Sequence, residues 1–147
     1  MENYRQTLPL AAAGDKIFKA LTEKIPLWWT TTFSGAASQE GHIFTVRFGK
    51  DVHKTLRIEH ISSPTKVVWK VIDSLIAVPG LKNQTEWIGT TIVWELTPAE
   101  KTTALQLTHL GLHAGFNCYE ICIAGWKQFT DSLKLFVETG EGRPFRP

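Results

Sequence analysis

Between His109 and Cys122 the sequence HLGLHAGFNCYEIC gathers two histidines and both of the chain's cysteines. Imidazole nitrogens and thiolates are zinc ligands, and a structural zinc site needs four of them converging on a tetrahedron. Cys118 and Cys122 are four residues apart, close enough on a helix to reach one ion. The same spacing, however, opens an apolar stripe continued by Trp126, Phe129, Leu133 and Phe136. Free cysteine behaves as a small buried hydrophobe. The cysteines therefore read as core and His113 as a loop residue, and no metal or other cofactor is expected.

A second group is polar and falls on predicted inner strand faces: His60, Asp73, Glu86, Thr90 and His109. A buried carboxylate is costly unless it is paired or solvated. Asp73 or Glu86 with His109 has the composition of an acid/base pair. The competing reading pairs Asp73 with Lys54, leaves Glu86 in water at the mouth of its strand, and bonds His109 to Thr90. His109 and Thr90, as cross-strand neighbours on the concave side, are the best placed to orient a ligand. No G-x-S-x-G, P-loop or G-x-G-x-x-G is present, so no catalytic residue is assigned.

The third group is aromatic: Trp28, Trp29, Phe44, Phe48, Trp69, Trp94, Trp126 and Phe129. Most are expected in the core, with the remainder lining a pocket for a planar or acyl ligand. Of the adjacent Trp28 and Trp29, one should be core and the other should gate the cavity. Trp87 has the opposite parity to Trp94 and reads as an outer-face or edge residue, a hint of a partner surface. The candidate ligand contacts are Trp28, Phe44, Phe48, Trp69, Asp73, Thr90, Trp94, His109, Cys122 and Trp126.

The elements that must position these groups follow from periodicity. Residues 3–8 alternate weakly before Pro9, as an edge strand does. AAAGDKIFKALTEKI places Ile17, Phe18 and Leu21 on one helical face, and Pro26 ends that helix or starts a second short turn. From Gly41 the period becomes two: HIFTVRFG, KTLRIEHI, KVVWKVID, EWIGTTIVWEL and TTALQLTHLG each put alternate apolar residues on one face. Pairing through the SSPT turn sets Ile58 opposite Trp69, Leu56 opposite Val71 and Lys54 opposite Asp73. Pairing through TPAEKT sets Trp94 opposite Leu105, Ile92 opposite Leu107 and Thr90 opposite His109. The final segment is an amphipathic helix of about twenty residues, with Asn117 and Glu120 as a capping box and Gly140 and Gly142 closing it.

This order is an α+β layout: a curved antiparallel sheet wrapped around one long C-terminal helix, with two short helices after the first strand. Such a wrap leaves room for a ligand between helix and sheet. The 147 residues with net charge +2 suit one domain spanning 1–147 that needs no metal or disulfide for stability. Basic residues are scattered, which argues against nucleic acid as a partner, and no apolar run is long enough to cross a membrane. Two cysteines at helical spacing make a poor disulfide framework, so a reducing cytoplasm is expected.

AAAGDKIFKALTE, WWTTTFSGAASQEGHIFTVRFG, KVVWKVID, EWIGTTIVWELTP, TALQLTHLGL and GWKQFTDSLKLFVETGEGRPF occur in that order. Together they resemble the START-like helix-grip (SRPBCC) superfamily, and within it the branch named after the heat-shock protein 90 ATPase activator. The resemblance implies a helix-grip fold. It also implies one of three roles: binding of a small hydrophobic ligand, a lipid or aromatic metabolite; a co-chaperone-like protein partner; or cyclase- or hydrolase-like chemistry through His109. The first is the leading expectation, for a monomer or weak dimer.

Overall fold

The computed structural model describes residues 3–147. Its elements are β1 (Tyr4–Leu10), α1 (Gly14–Thr22), a 3-10 turn at Ile25–Leu27, β2 (Phe33–Gly35), β3 (Ile43–Arg47), β4 (Val52–Ser62), β5 (Lys66–Ile76), β6 (Thr91–Pro98), β7 (Thr103–Leu110) and α2 (Tyr119–Thr139). The strands form one sheet of seven in the order β1-β7-β6-β5-β4-β3-β2, with antiparallel pairing throughout. This is the expected α+β helix-grip arrangement. The short helix and the 3-10 turn follow the first strand as anticipated, with Pro26 inside the turn.

Strand β1 is an edge strand, though Pro9 does not end it. Pro9 pairs with Ala104 and the strand runs on to Leu10. Proline is tolerated there because an edge strand has one side with no ladder bond to donate.

The long helix presents Cys122, Trp126, Phe129, Leu133 and Val137 to the core. That is the expected stripe, with Val137 in place of the half-buried Phe136 at its end. Gly140 ends the helix in the left-handed region (φ 91°), and its N–H reaches the Phe136 carbonyl. A residue with a Cβ would be strained in that conformation. Opposite the stripe, the sheet contributes Phe44, Val46, Leu56, Ile58, Val67, Trp69, Val71, Ile92, Trp94, Leu105 and Leu107, all essentially inaccessible.

The β4–β5 register contains two irregularities that move side chains between faces. Ile58 opposes Trp69 and Leu56 opposes Val71, as expected. Beyond Leu56, however, the partner of Thr55 is Asp73, so Ile72 is an extra residue on β5. The extra residue reverses the parity of the rest of β5. Lys54 then opposes Ser74, not Asp73; Ser74 turns inward and Asp73 outward. The second shift, between Ile58 and His60, leaves Glu59 as the extra residue on β4 and turns His60 to solvent.

In the β6–β7 hairpin the expected register is displaced by two residues. Trp94 opposes Leu107, Ile92 opposes His109, and the strands close at Pro98 and Thr103. A two-residue turn at Ala99 and Glu100 would need left-handed backbone, and neither residue is a glycine or asparagine. The chain uses a four-residue connection instead, closed by Ala99 N–H to the Thr102 carbonyl at 2.8 Å. A shift of two preserves parity, so the apolar faces stay where the sequence put them.

Candidate functional site

A cavity of about 250 Å³ lies between α2 and one end of the sheet. Phe48, Val52 and Ile76 line it from the β3–β5 side; Ile121, Cys122, Gly125, Trp126 and Phe129 line it from α2; Trp29 and Trp87 complete the inner wall. Ile121 and Gln128 are exposed at its rim.

One ionisable amine points into this apolar space. Lys54 is only 7% exposed, and its Nζ lies 4.5 Å from the centroid of the Trp87 ring and 5.0 Å from that of Phe48. Among the described residues no carboxylate is within ion-pair reach of it. Desolvation lowers its pKa to about 8, with the nearby Cys122 and Cys118 pulling the other way. Desolvated cation–π contacts are worth about 2 kcal/mol, whereas the effective penalty for burying an ion is several kcal/mol. The rings soften the burial without balancing it.

Trp87 is 3% exposed, so the outer-face reading and the partner surface drawn from it are corrected. Its strand parity does not apply, because Trp87 precedes β6 in an irregular segment. The indole N–H donates to Cys122 Sγ at 3.1 Å, and the ring stacks on Trp126 at 5.7 Å. Cys118 and Cys122 share a hydrogen bond, which lowers the pKa of Cys118 and, with burial, raises that of Cys122. Among the described residues no group of three or more His, Cys, Asp or Glu side chains is placed to hold a metal.

His109 is fully buried. Thr90 Oγ1 donates to the Trp87 carbonyl at 2.6 Å, so its oxygen accepts from His109 Nε2–H at 2.8 Å. The other nitrogen, Nδ1, accepts from Trp126 Nε1–H at 3.1 Å. This network fixes the neutral Nε2–H tautomer. Burial, and secondarily the charge of Lys54, lowers the His109 pKa to about 3. The only imidazole lone pair is occupied by an indole N–H, so His109 has none free to take a substrate proton. The His109–Thr90 hydrogen bond is thus present although the two residues are not ladder partners.

The remaining polar candidates lie elsewhere. Asp73 is exposed and bonds His53 at 3.1 Å. His60 is exposed and faces Glu40. Glu86 accepts from the N–H groups of Asn117 (3.0 Å) and Cys118 (3.1 Å), capping α2 from a distant loop. Asn117 Oδ1 instead accepts from the Asn83 N–H at 2.9 Å, and the expected Asn117–Glu120 capping box is absent.

Of the ten candidate ligand contacts, Phe48, Cys122 and Trp126 line the cavity. Trp28, Phe44, Trp69 and Trp94 are in the packed core, and Thr90 and His109 sit behind the wall formed by Trp87 and Trp126. Of the tryptophan pair, Trp28 is core, donating to the Ala20 carbonyl at 2.8 Å, and Trp29 faces the cavity. Lys54 and Trp87 also line the cavity, and neither is among the contacts expected from the sequence. For Lys54 a signal existed: it shares parity with Leu56 and Ile58, which places it on the concave face.

A curved antiparallel sheet gripping a long C-terminal helix, with a pocket between them, defines a helix-grip protein. The chain belongs to the family described as Activator of Hsp90 ATPase homolog 1-like protein, whose model matches residues 11–138. Its structure is similar to the solution structure of the Aha1 dimer from Colwellia psychrerythraea, with 26% identity, a TM-score of 0.78, and coverage of 97% of this chain and 100% of that one. It is also similar in fold to DynU16, a putative protein in the dynemicin biosynthetic locus (19% identity, TM-score 0.73, all of this chain and 51% of that one). The same holds for CalU16 from Micromonospora echinospora (17% identity, TM-score 0.68, 96% of this chain and 76% of that one). None of the curated proteins compared matches the chain. Among the described residues no helix is long and apolar enough to cross a membrane.

Proposed function

We propose that the protein binds a small, largely apolar molecule in the cavity between α2 and the sheet. The observation that carries this reading is the cavity itself: about 250 Å³, walled by tryptophan and phenylalanine rings. An apolar cavity of roughly 150 Å³ already holds benzene, so this one accommodates a single ring with a short chain. It is smaller than most drug-sized sites, which argues against a large lipid. The occupied lone pair of His109 weighs against the cyclase- or hydrolase-like alternative. The burial of Trp87 removes one hint of a partner surface, while the co-chaperone-like alternative continues to rest on the family resemblance alone.

Gly125 provides the test. It lines the cavity on α2, and a Cβ added there meets nothing within 4 Å. Gly125→Leu should therefore fill the pocket without displacing backbone, while relieving the helix of a glycine worth about 1 kcal/mol. Native mass spectrometry identifies what co-purifies, and quenching of the cavity tryptophans follows titration with aromatic and short-chain compounds. The variant should be as stable as the parent or more so, yet lose binding at least tenfold. Ligand affinity unchanged in Gly125→Leu would place binding elsewhere and sink this reading.

A further inference from the structure

The cavity wall carries a charge without a counter-charge. Lys54 sits on β4 facing α2, and its nearest structured partners are the faces of Trp87 and Phe48. Its ladder neighbour Ser74 is 1% exposed, and the Ser74 hydroxyl has no hydrogen-bond partner. The Ser74 hydroxyl is thus a buried group left without an acceptor, which is uncommon, and beside it the Lys54 ammonium opens onto the cavity with no hydrogen bond to any described residue.

The groups that face Lys54 from the elements packed against it do not supply one. Cys122 approaches from α2 and Cys118 from the residue just before it; its hydrogen bond with Cys118 and its burial raise the Cys122 pKa, and Cys118 lies outside the cavity lining. His109 on β7 is held neutral by Thr90 and Trp126. Glu86 spends both carboxylate oxygens on the N–H groups of Asn117 and Cys118, just before α2.

We propose that the cavity selects an apolar molecule bearing one acidic group, an aryl or short alkyl carboxylate, with Lys54 Nζ as the anchor of the acid. This rests on the cavity reading above and specifies its ligand class. The apolar walls take the ring or chain, and the carboxylate accepts a charge-assisted hydrogen bond from the ammonium. Such bonds are strong where water is excluded. A metal ion or an organic amine would meet the same ammonium and be repelled.

Three probes of one shape separate the possibilities: 3-phenylpropionate, 3-phenylpropanol and 3-phenylpropylamine, titrated by calorimetry and tryptophan fluorescence at pH 7. The acid is expected to bind about ten- to a hundredfold tighter than the alcohol, the margin of a charge-assisted hydrogen bond, with the amine weakest. In Lys54→Met the acid should fall to the level of the alcohol or below.

A second measurement does not depend on that variant. In the wild type, acid affinity should decline above pH 8 as Lys54 loses its proton, and bound acid should move the Lys54 pKa back towards its ordinary 10.5, read from the ¹³Cε shift. Equal affinity for acid and alcohol would overturn the proposal and leave the cavity reading intact. Failure of all three probes to bind would overturn both.

Discussion

Lys54 and His109 are buried ionisable groups whose charged forms the fold disfavours, and each sets a pH dependence of stability. For Lys54 the folded pKa is about 8 against an ordinary 10.5. Between those values the unfolded chain holds more protons than the folded one, so stability rises with pH, by up to about 1.4 kcal/mol per pH unit. His109 has a folded pKa of about 3 against 6.5, so its contribution is complete above pH 6.5 and is lost as pH falls towards 3. Urea unfolding of wild type and Lys54→Met should show the variant to be the more stable at pH 7, with its advantage shrinking by about 1–2 kcal/mol between pH 8 and 9.5. Taking the difference removes most of the opposite trend from Cys122, whose raised pKa favours unfolding at high pH and owes only its smallest contribution to Lys54. A pH-independent difference would mean that Lys54 is hydrated in the folded state. On the acid side, wild type should lose about 2 kcal/mol between pH 6.5 and 5, and His109→Gln should flatten that loss.

At the scale of elements, the N-terminus of α2 shows how far a local reading reaches. Asn117 followed by Glu120 is a sound capping signature, yet the cap comes from Glu86, more than thirty residues earlier in the chain. A carboxylate on two N–H groups gains both hydrogen bonds and a favourable position on the helix dipole. Glu86→Ala should cost about 1–2 kcal/mol and speed hydrogen exchange at the Asn117 and Cys118 amides, whereas Glu120→Ala should change stability by less than about 0.5 kcal/mol. The reverse ranking would restore the local cap. The same distinction explains what could be read from the sequence. Strand faces, the helix stripe and the order of elements follow from periods of two and 3.6, so the fold was legible. The site was less so, because an extra residue such as Ile72 or Glu59 reverses parity without any compositional mark. That reversal turned Asp73 and His60 outward and gave Lys54 the neighbour Ser74 in place of a carboxylate. Trp87 lies outside any strand, so parity carried no information about it.

At the scale of the molecule, all six tryptophans join one network spanning the residues just after the 3-10 turn, β5, β6, the segment before β6, and α2. Trp28 stacks on Trp29, Trp29 on Trp69 and Trp126, and Trp126 on Trp87, while Trp94 meets Trp28, Trp69 and Trp126 edge-on. Trp126 is where the network meets the polar interior, since its N–H satisfies His109 Nδ1. Trp94, equally buried, donates to nothing. Replacing either with Phe removes comparable ring volume and creates a comparable void. Only Trp126→Phe also strands a buried acceptor, a loss of about 1–3 kcal/mol, while Trp94→Phe removes a donor that had no partner. Trp126→Phe should therefore be the more destabilising by about that margin in urea unfolding. It should also raise the His109 pKa from about 3, because the freed lone pair can then accept a proton, a change visible in the imidazole NMR titration. Equal losses for the two variants, with the His109 titration unmoved, would mean that the indole–imidazole bond does not hold the helix to the sheet and that ring packing alone does.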